Sequence, residues 1–197
     1  MADVICLNET FASDSHNRSL SVPNYTLFQR WRRDCYKSHD ELCRLNGGGV
    51  GIYISNSLQA QMLSCFQNVT DLEYIVVEII HPYKAVIVTA YRPPQFSVSE
   101  CIRYLKRLLD HLSEMSCDVI IISGDLNEDQ FSNRNKPLYN LFTEYGYQQL
   151  ITSSTTEKGT LLDTIFVRDS DVHKVKATGI IQTYYSYHDA VFCLLEV

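Results

Sequence analysis

Short runs rich in Val and Ile, each bounded by Gly, Pro, Asn or Ser, punctuate this chain, and that pattern admits few folds. The runs are Asp3–Leu7, Val50–Ser55, Glu73–Ile80, Lys84–Tyr91, Asp118–Ser123, Leu161–Val167, Val172–Gly179 and Ala190–Val197. Each has the length of a strand, and none reaches the roughly 18 apolar residues of a membrane span. Two segments read as helices. Over Val98–Met115 an apolar stripe of Val98, Cys101, Ile102, Leu105, Leu108, Leu109 and Leu112 recurs at helical spacing. Ser97 followed by Glu100 predicts a capping box at its start. Pro137–Tyr145, stopped by Gly146, predicts the second. Many strands with few helices predict an α/β (α+β) sandwich rather than a bundle. No repeat, low-complexity stretch or linker divides the chain, so one domain over residues 1–197 is expected.

A hydrophobic fraction of 45% supports a packed core. Seven cysteines, an odd number without a CxxC pair, predict free thiols in a reducing compartment. With no signal-like N-terminus, the expected location is intracellular, nuclear or cytoplasmic, and not secreted. A net charge of −6 argues against a strongly basic binder that holds nucleic acid by counterion release alone. It leaves room for acidic residues that hold a metal ion. Basic residues gather at Arg30, Arg32, Arg33 and Lys37, and at Arg103, Lys106 and Arg107, and read as solvated surface charge.

The informative residues stand at strand ends. Asp118-Val-Ile-Ile-Ile-Ser-Gly124 reads as a buried strand that delivers Asp125-Leu-Asn127. An Asp and an Asn two apart on extended backbone face the same way, able to position a water and orient a phosphate. Asp3-Val-Ile-Cys-Leu7 leads into Glu9, whose carboxylate suits a hard cation. Tyr91-Arg92-Pro93-Pro94 closes another strand, with a phenol and a guanidinium suited to a phosphate. Asp163 interrupts an apolar run and needs a partner, for which a histidine is suited. His188 precedes the last strand. Taken singly, each residue reads equally as ordinary turn chemistry, a loop acid or a structural histidine.

Their order along the chain is more specific. Glu9, the YRPP at 91–94, the GDLN at 124–127, the LLDTIFV around Asp163 and the SYHD at 186–189 together resemble the endonuclease/exonuclease/phosphatase family. Within it the wording is most similar to the apurinic-endonuclease-like endonuclease domain of LINE-type (non-LTR) retrotransposons, which act beside a reverse transcriptase. The resemblance implies a four-layered sandwich of two packed mixed β-sheets flanked by helices. It implies a DNA endonuclease that nicks its substrate with Mg²⁺, for which Mn²⁺ substitutes, with DNA as partner and no membrane. By the same resemblance Glu9 holds the metal, Asp125 positions or deprotonates water, and Asn127 orients water and phosphate. Tyr91 and Arg92 contact the phosphate, while Asp163 orients a His188 that stabilises charge on the phosphoryl oxygens. The segment Gly47–Ser55 fits as the Gly-rich entry to an early strand, and is not a phosphate-binding loop, because no Gly-Lys-Ser/Thr follows.

Two departures stand out. The family opens with an Asn-bearing strand ahead of the Glu-bearing one, whereas this sequence starts at Met1 within the latter, so an N-terminally truncated domain with an open sheet edge is expected. The family's terminal Ser-Asp-His reads Ser186-Tyr187-His188 here, a phenol in place of a carboxylate. Asp189, on the opposite face of an extended backbone, is not expected to substitute. A catalytically dead nucleic-acid-binding or interaction module, and a phosphatase acting on small phosphoesters, remain as alternatives.

Overall fold

The computed structural model describes residues 2–11, 20–37, 40–45, 47–68 and 71–196. In chain order the strands are β1 (Val4–Asn8), β2 (Tyr25–Arg30), β3 (Val50–Ser55), β4 (Gln59–Met62), β5 (Glu73–His81) and β6 (Ala85–Tyr91). There follow β7 (Val119–Asp125), β8 (Tyr147–Gln149), β9 (Asp163–Arg168), β10 (Val175–Ile181) and β11 (Ala190–Leu195). The helices are α1 (Arg32–Cys35), α2 (Asp40–Cys43), α3 (Val98–Ser113) and α4 (Pro137–Glu144).

Every predicted strand and helix is present, with ends shifted by a few residues. The last strand stops at Leu195, and Met1 and Val197, at the ends of the expected domain, lie outside the described residues. Three strands were not predicted. β2 carries little Val or Ile, β4 is a polar edge strand, and β8 has only three residues. The capping box is also absent. Ser97 makes no side-chain cap, and its hydroxyl pairs with that of Ser99 instead (2.8 Å). Half of the first basic group is not solvated: Arg30 and Arg32 are each only 7% exposed.

A six-stranded mixed sheet, ordered β4-β5-β6-β7-β9-β8, carries the core on both faces. Strand alternation sends Ile120 and Ile122 toward α3 and α4, and Val119 and Ile121 toward the opposite layer. That layer is a three-stranded antiparallel sheet, β1-β3-β2, beside the β10–β11 hairpin. The expected packed sheets with helices outside are therefore present. Among the described residues, no strand pairs with the second edge of β1 or of β11.

Two glycine features fix where strand ends fall. The first is Gly124, at φ 148°, where an added Cβ would lie 1.8 Å from the carbonyl oxygen of Ala90 on the parallel neighbour β6. The second is Gly47, Gly48 and Gly49, all at positive φ. A Cβ on Gly48 would meet the Arg32 guanidinium at 2.1 Å, so the Gly-rich entry exists to let a buried arginine pass. Gly124→Ala is expected to destabilise the fold by at least about 2 kcal/mol in urea unfolding. An unchanged midpoint would show that β6 yields to the new methyl.

Candidate active site

One cross-strand row sets the site. Tyr91 of β6 lies beside Asp125 of β7, and Asp125 opposite Asp163 of β9. All three side chains leave on the face that meets the smaller sheets, at the strand ends nearest Glu9. The pairing forces two carboxylates together at the mouth of a mostly apolar layer.

Local bonds hold each in place. Asp125, 7% exposed, accepts the Asn127 backbone N–H on Oδ1 (2.8 Å) and the Asn127 side-chain amide on Oδ2 (3.3 Å). Asn127 sits at φ 50°, a conformation its short polar side chain tolerates. Asp163 accepts His188 Nδ1 on Oδ2 at 2.8 Å. Tyr91, buried, donates its hydroxyl to Glu9 Oε1. Glu9 follows β1 at φ 51° and is exposed. The backbone just beyond it is tied down, because Thr10 N donates to Gly49 O (3.2 Å) and Phe11 N to Gly48 O (3.0 Å).

Electrostatics follow from that crowding. Burial pushes the Asp125 carboxyl up from 3.8 to about 7, and the neighbouring Asp163 and Glu9 charges add to the rise while Asn127 and His188 oppose it. The bond to Asp163 holds the His188 imidazole above its ordinary value, although partial burial works against it. Burial and the bond to Glu9 push the Tyr91 phenol up, so it remains a neutral donor.

The structure thus gathers Glu9, Tyr91, Asp125, Asn127, Asp163 and His188. It does not bring Arg92 to the opening. Arg92 is 5% exposed, with Nε on Leu126 O (2.7 Å), Nη1 on Phe96 O (2.6 Å) and Nη2 on Asn127 O (2.7 Å). Its guanidinium is spent on the loop that carries Asn127 instead of facing solvent. Tyr187, next to His188 in the chain, is 80% exposed. Asp189, as expected, points elsewhere and accepts Thr183 N (3.0 Å).

Sequence reasoning passed over three supporting residues. Thr155, fully buried, accepts the N–H groups of Leu162 (3.1 Å) and Asp163 (3.2 Å) on its hydroxyl, fixing the start of β9. Glu128 caps α4 by accepting Leu138 N (3.0 Å) and Tyr139 N (2.8 Å). Glu73, 0% exposed, pairs with Arg32 at 2.7 Å and accepts Gly49 N at 2.5 Å. No motif marks a buried threonine or a paired strand acid; only their partners do.

The donor set fits a hard divalent cation. Ligand atoms of Asp125, Asp163 and His188 lie within 4.8 Å of one another, and the charge of Glu9 is near enough to raise the Asp125 carboxyl. Asp125, Asp163 and His188, with the exposed Glu9 bonded to Tyr91 nearby, are the groups able to hold such an ion.

A family model described as Endonuclease/Exonuclease/phosphatase family matches residues 1–188. The chain belongs to that family. Its enzymes are metal-dependent nucleases and phosphodiesterases. Among similar solved structures is the endonuclease domain of TRAS1, a telomere-specific non-LTR retrotransposon, at 14% identity and TM-score 0.72, covering 96% of this chain and 83% of that one. The 3'-5' exonuclease NExo from Neisseria meningitidis aligns at 11% identity and TM-score 0.69 over 99% of this chain and 90% of that one. The AP endonuclease LMAP from Leishmania major aligns at 14% and 0.67, over 99% and 78%. At these identities the likeness is one of fold. No curated protein sequence matches the chain significantly. No helix among the described residues is long and apolar enough to cross a membrane.

Both raised values carry the same sign. The metal-free folded state binds protons more tightly than the unfolded chain at Asp125 and His188. Their stabilising contribution is present at acid pH, and the Asp125 share is lost as pH rises from about 4 to about 7. In EDTA, Asp125→Asn is expected to flatten that fall in stability. NMR titration is expected to place the His188 midpoint above that of a free imidazole and to move it down in Asp163→Asn. An unmoved midpoint would contradict the pairing.

Proposed function

We propose that this chain hydrolyses phosphodiester bonds in DNA with Mg²⁺ or Mn²⁺, nicking it in the manner of a retrotransposon endonuclease. The observation that carries the reading is the row of Tyr91, Asp125 and Asp163, with Asn127 and His188, at one end of the central strands. In-line attack on a phosphodiester requires an activated water, neutralised oxygens and a positioned phosphate. A carboxyl with a value of about 7 is matched to accepting a proton from water near neutral pH, which is the role given to Asp125. Asn127 has its amide donors on Arg92 O (2.9 Å) and Asp125, leaving Oδ1 to accept a hydrogen from that water. His188, its imidazole held above the ordinary value by the bond to Asp163, is placed to stabilise the phosphoryl oxygens as charge grows on them. Tyr91 steers Glu9, whose second oxygen would hold the cation, and the ion would supply charge neutralisation at the phosphate. Tyr187 leaves this set one carboxylate short of the family pattern, and the remaining acids carry the cation alone.

Nicking of supercoiled plasmid tests the proposal. The unmodified protein is expected to nick with Mg²⁺ or Mn²⁺ and to stop in EDTA. His188→Ala and Asp125→Asn are each expected to lower the rate by about 10²- to 10⁴-fold. Undiminished nicking by both variants would refute the assignment. Silence from folded, unmodified protein would refute catalysis and favour a module that binds without cutting.

A further inference from the structure

The loop between β10 and β11 holds three aromatic rings in water beside the site. Tyr184, Tyr185 and Tyr187 are 94%, 90% and 80% exposed. The tyrosines of the core behave oppositely: Tyr74, Tyr91, Tyr104 and Tyr147 are each at most 6% exposed. The loop is a pinned turn. Thr183 N donates to Asp189 Oδ1 (3.0 Å), Thr183 Oγ1 to His188 O (2.6 Å), His188 N to Ser186 Oγ (3.1 Å), and Glu157 N to Tyr187 O (3.3 Å). Those bonds fix the base of the loop at His188, the residue that meets Asp163, so the loop carries its three rings next to the site along the chain. Among the described residues, none of the three rings packs on another ring. Three large aromatics kept in solvent on a hydrogen-bonded loop mark a contact surface, not a stretch of core.

The chemistry of the rim narrows the partner. The chain carries a net charge of −6 and its site is lined by Glu9, Asp125 and Asp163, so general electrostatic attraction to a polyanion is weak. Ring stacking on bases supplies attraction without charge, and it tolerates any sequence because every base offers a π-face. Base pairs inside a duplex have both faces covered by their neighbours; unpaired bases do not. We infer that Tyr184, Tyr185 and Tyr187 form a stacking platform for unpaired nucleobases flanking the phosphodiester at the Asp125–His188 site. The inference rests on the nuclease reading and specifies it. The preferred substrate is DNA with single-stranded or unpaired bases next to the cleaved bond, ahead of closed duplex or small phosphoesters.

Fluorescence anisotropy with the full chain in EDTA separates binding from cleavage. The probes are a fluorescein-labelled single-stranded oligonucleotide, its duplex, and the same strand with abasic positions. Tyr184→Ala/Tyr185→Ala is expected to weaken single-strand binding by about tenfold to a hundredfold, and Tyr184→Phe/Tyr185→Phe to retain it. The abasic strand is expected to bind weakly to every variant. Equal affinity of the alanine and unmodified proteins, or an abasic strand bound as well as the complete one, would overturn the platform and assign the rings to another class of partner. Thermal unfolding at the unmodified temperature confirms that the variants fold, as solvent-exposed rings require. Hydrolysis of bis(4-nitrophenyl) phosphate by the unmodified protein with Mn²⁺ reports the catalytic reading alone. Its absence would sink that reading without touching the anisotropy result.

Discussion

Antiparallel pairing of β9 with β7 sets Asp163 directly against Asp125, and most of the site answers that one conflict. Two carboxylates side by side at the edge of an apolar layer repel each other and are poorly hydrated. Relief comes from three directions. His188 engages Asp163, Asn127 donates twice to Asp125, and Asp125 responds with a carboxyl raised to about 7. The electrostatic tension that makes the pair costly to keep also gives the row a group able to exchange protons near neutral pH.

The geometry is maintained from outside the opening. Arg32 reaches Glu73 beneath three glycines, and Glu73 binds Gly49 in turn. The carbonyls of Gly48 and Gly49 then hold Thr10 and Phe11, which keeps Glu9 against Tyr91. On the other side Arg92 ties β6 to the Asn127 loop through backbone carbonyls, and Thr155 fixes the start of β9. Buried ion pairs are weak contributors to net stability but costly to break, which suits a device for position more than for strength.

Much of this was legible because strand ends advertise themselves. An apolar run that stops at Asp125-Leu-Asn127 or Tyr91-Arg92 announces a polar edge, and alternation says which side chains share a face. The order of the motifs then named the family before any fold was visible. What stayed hidden was tertiary. Arg32 looks like one of a run of basic residues, and only Glu73, 41 positions away, makes it a buried pair. Arg92 looks like a phosphate ligand until its carbonyl partners are seen. β4 and β2 lack the composition of strands because an edge and a part-exposed strand do not demand it. The three exposed tyrosines are equally silent in sequence, since exposure is a property of the fold.

We propose that Glu9 and the row of Tyr91, Asp125 and Asp163 beside it hold a divalent cation with no carboxylate at position 187. Electron paramagnetic resonance of Mn²⁺ titrated into the full chain tests it without requiring turnover. Saturable binding of Mn²⁺ that is lost in Glu9→Gln and weakened in Asp125→Asn, with both variants folded, is the expected result. Binding that is absent from the unmodified protein, or indifferent to both substitutions, would contradict it.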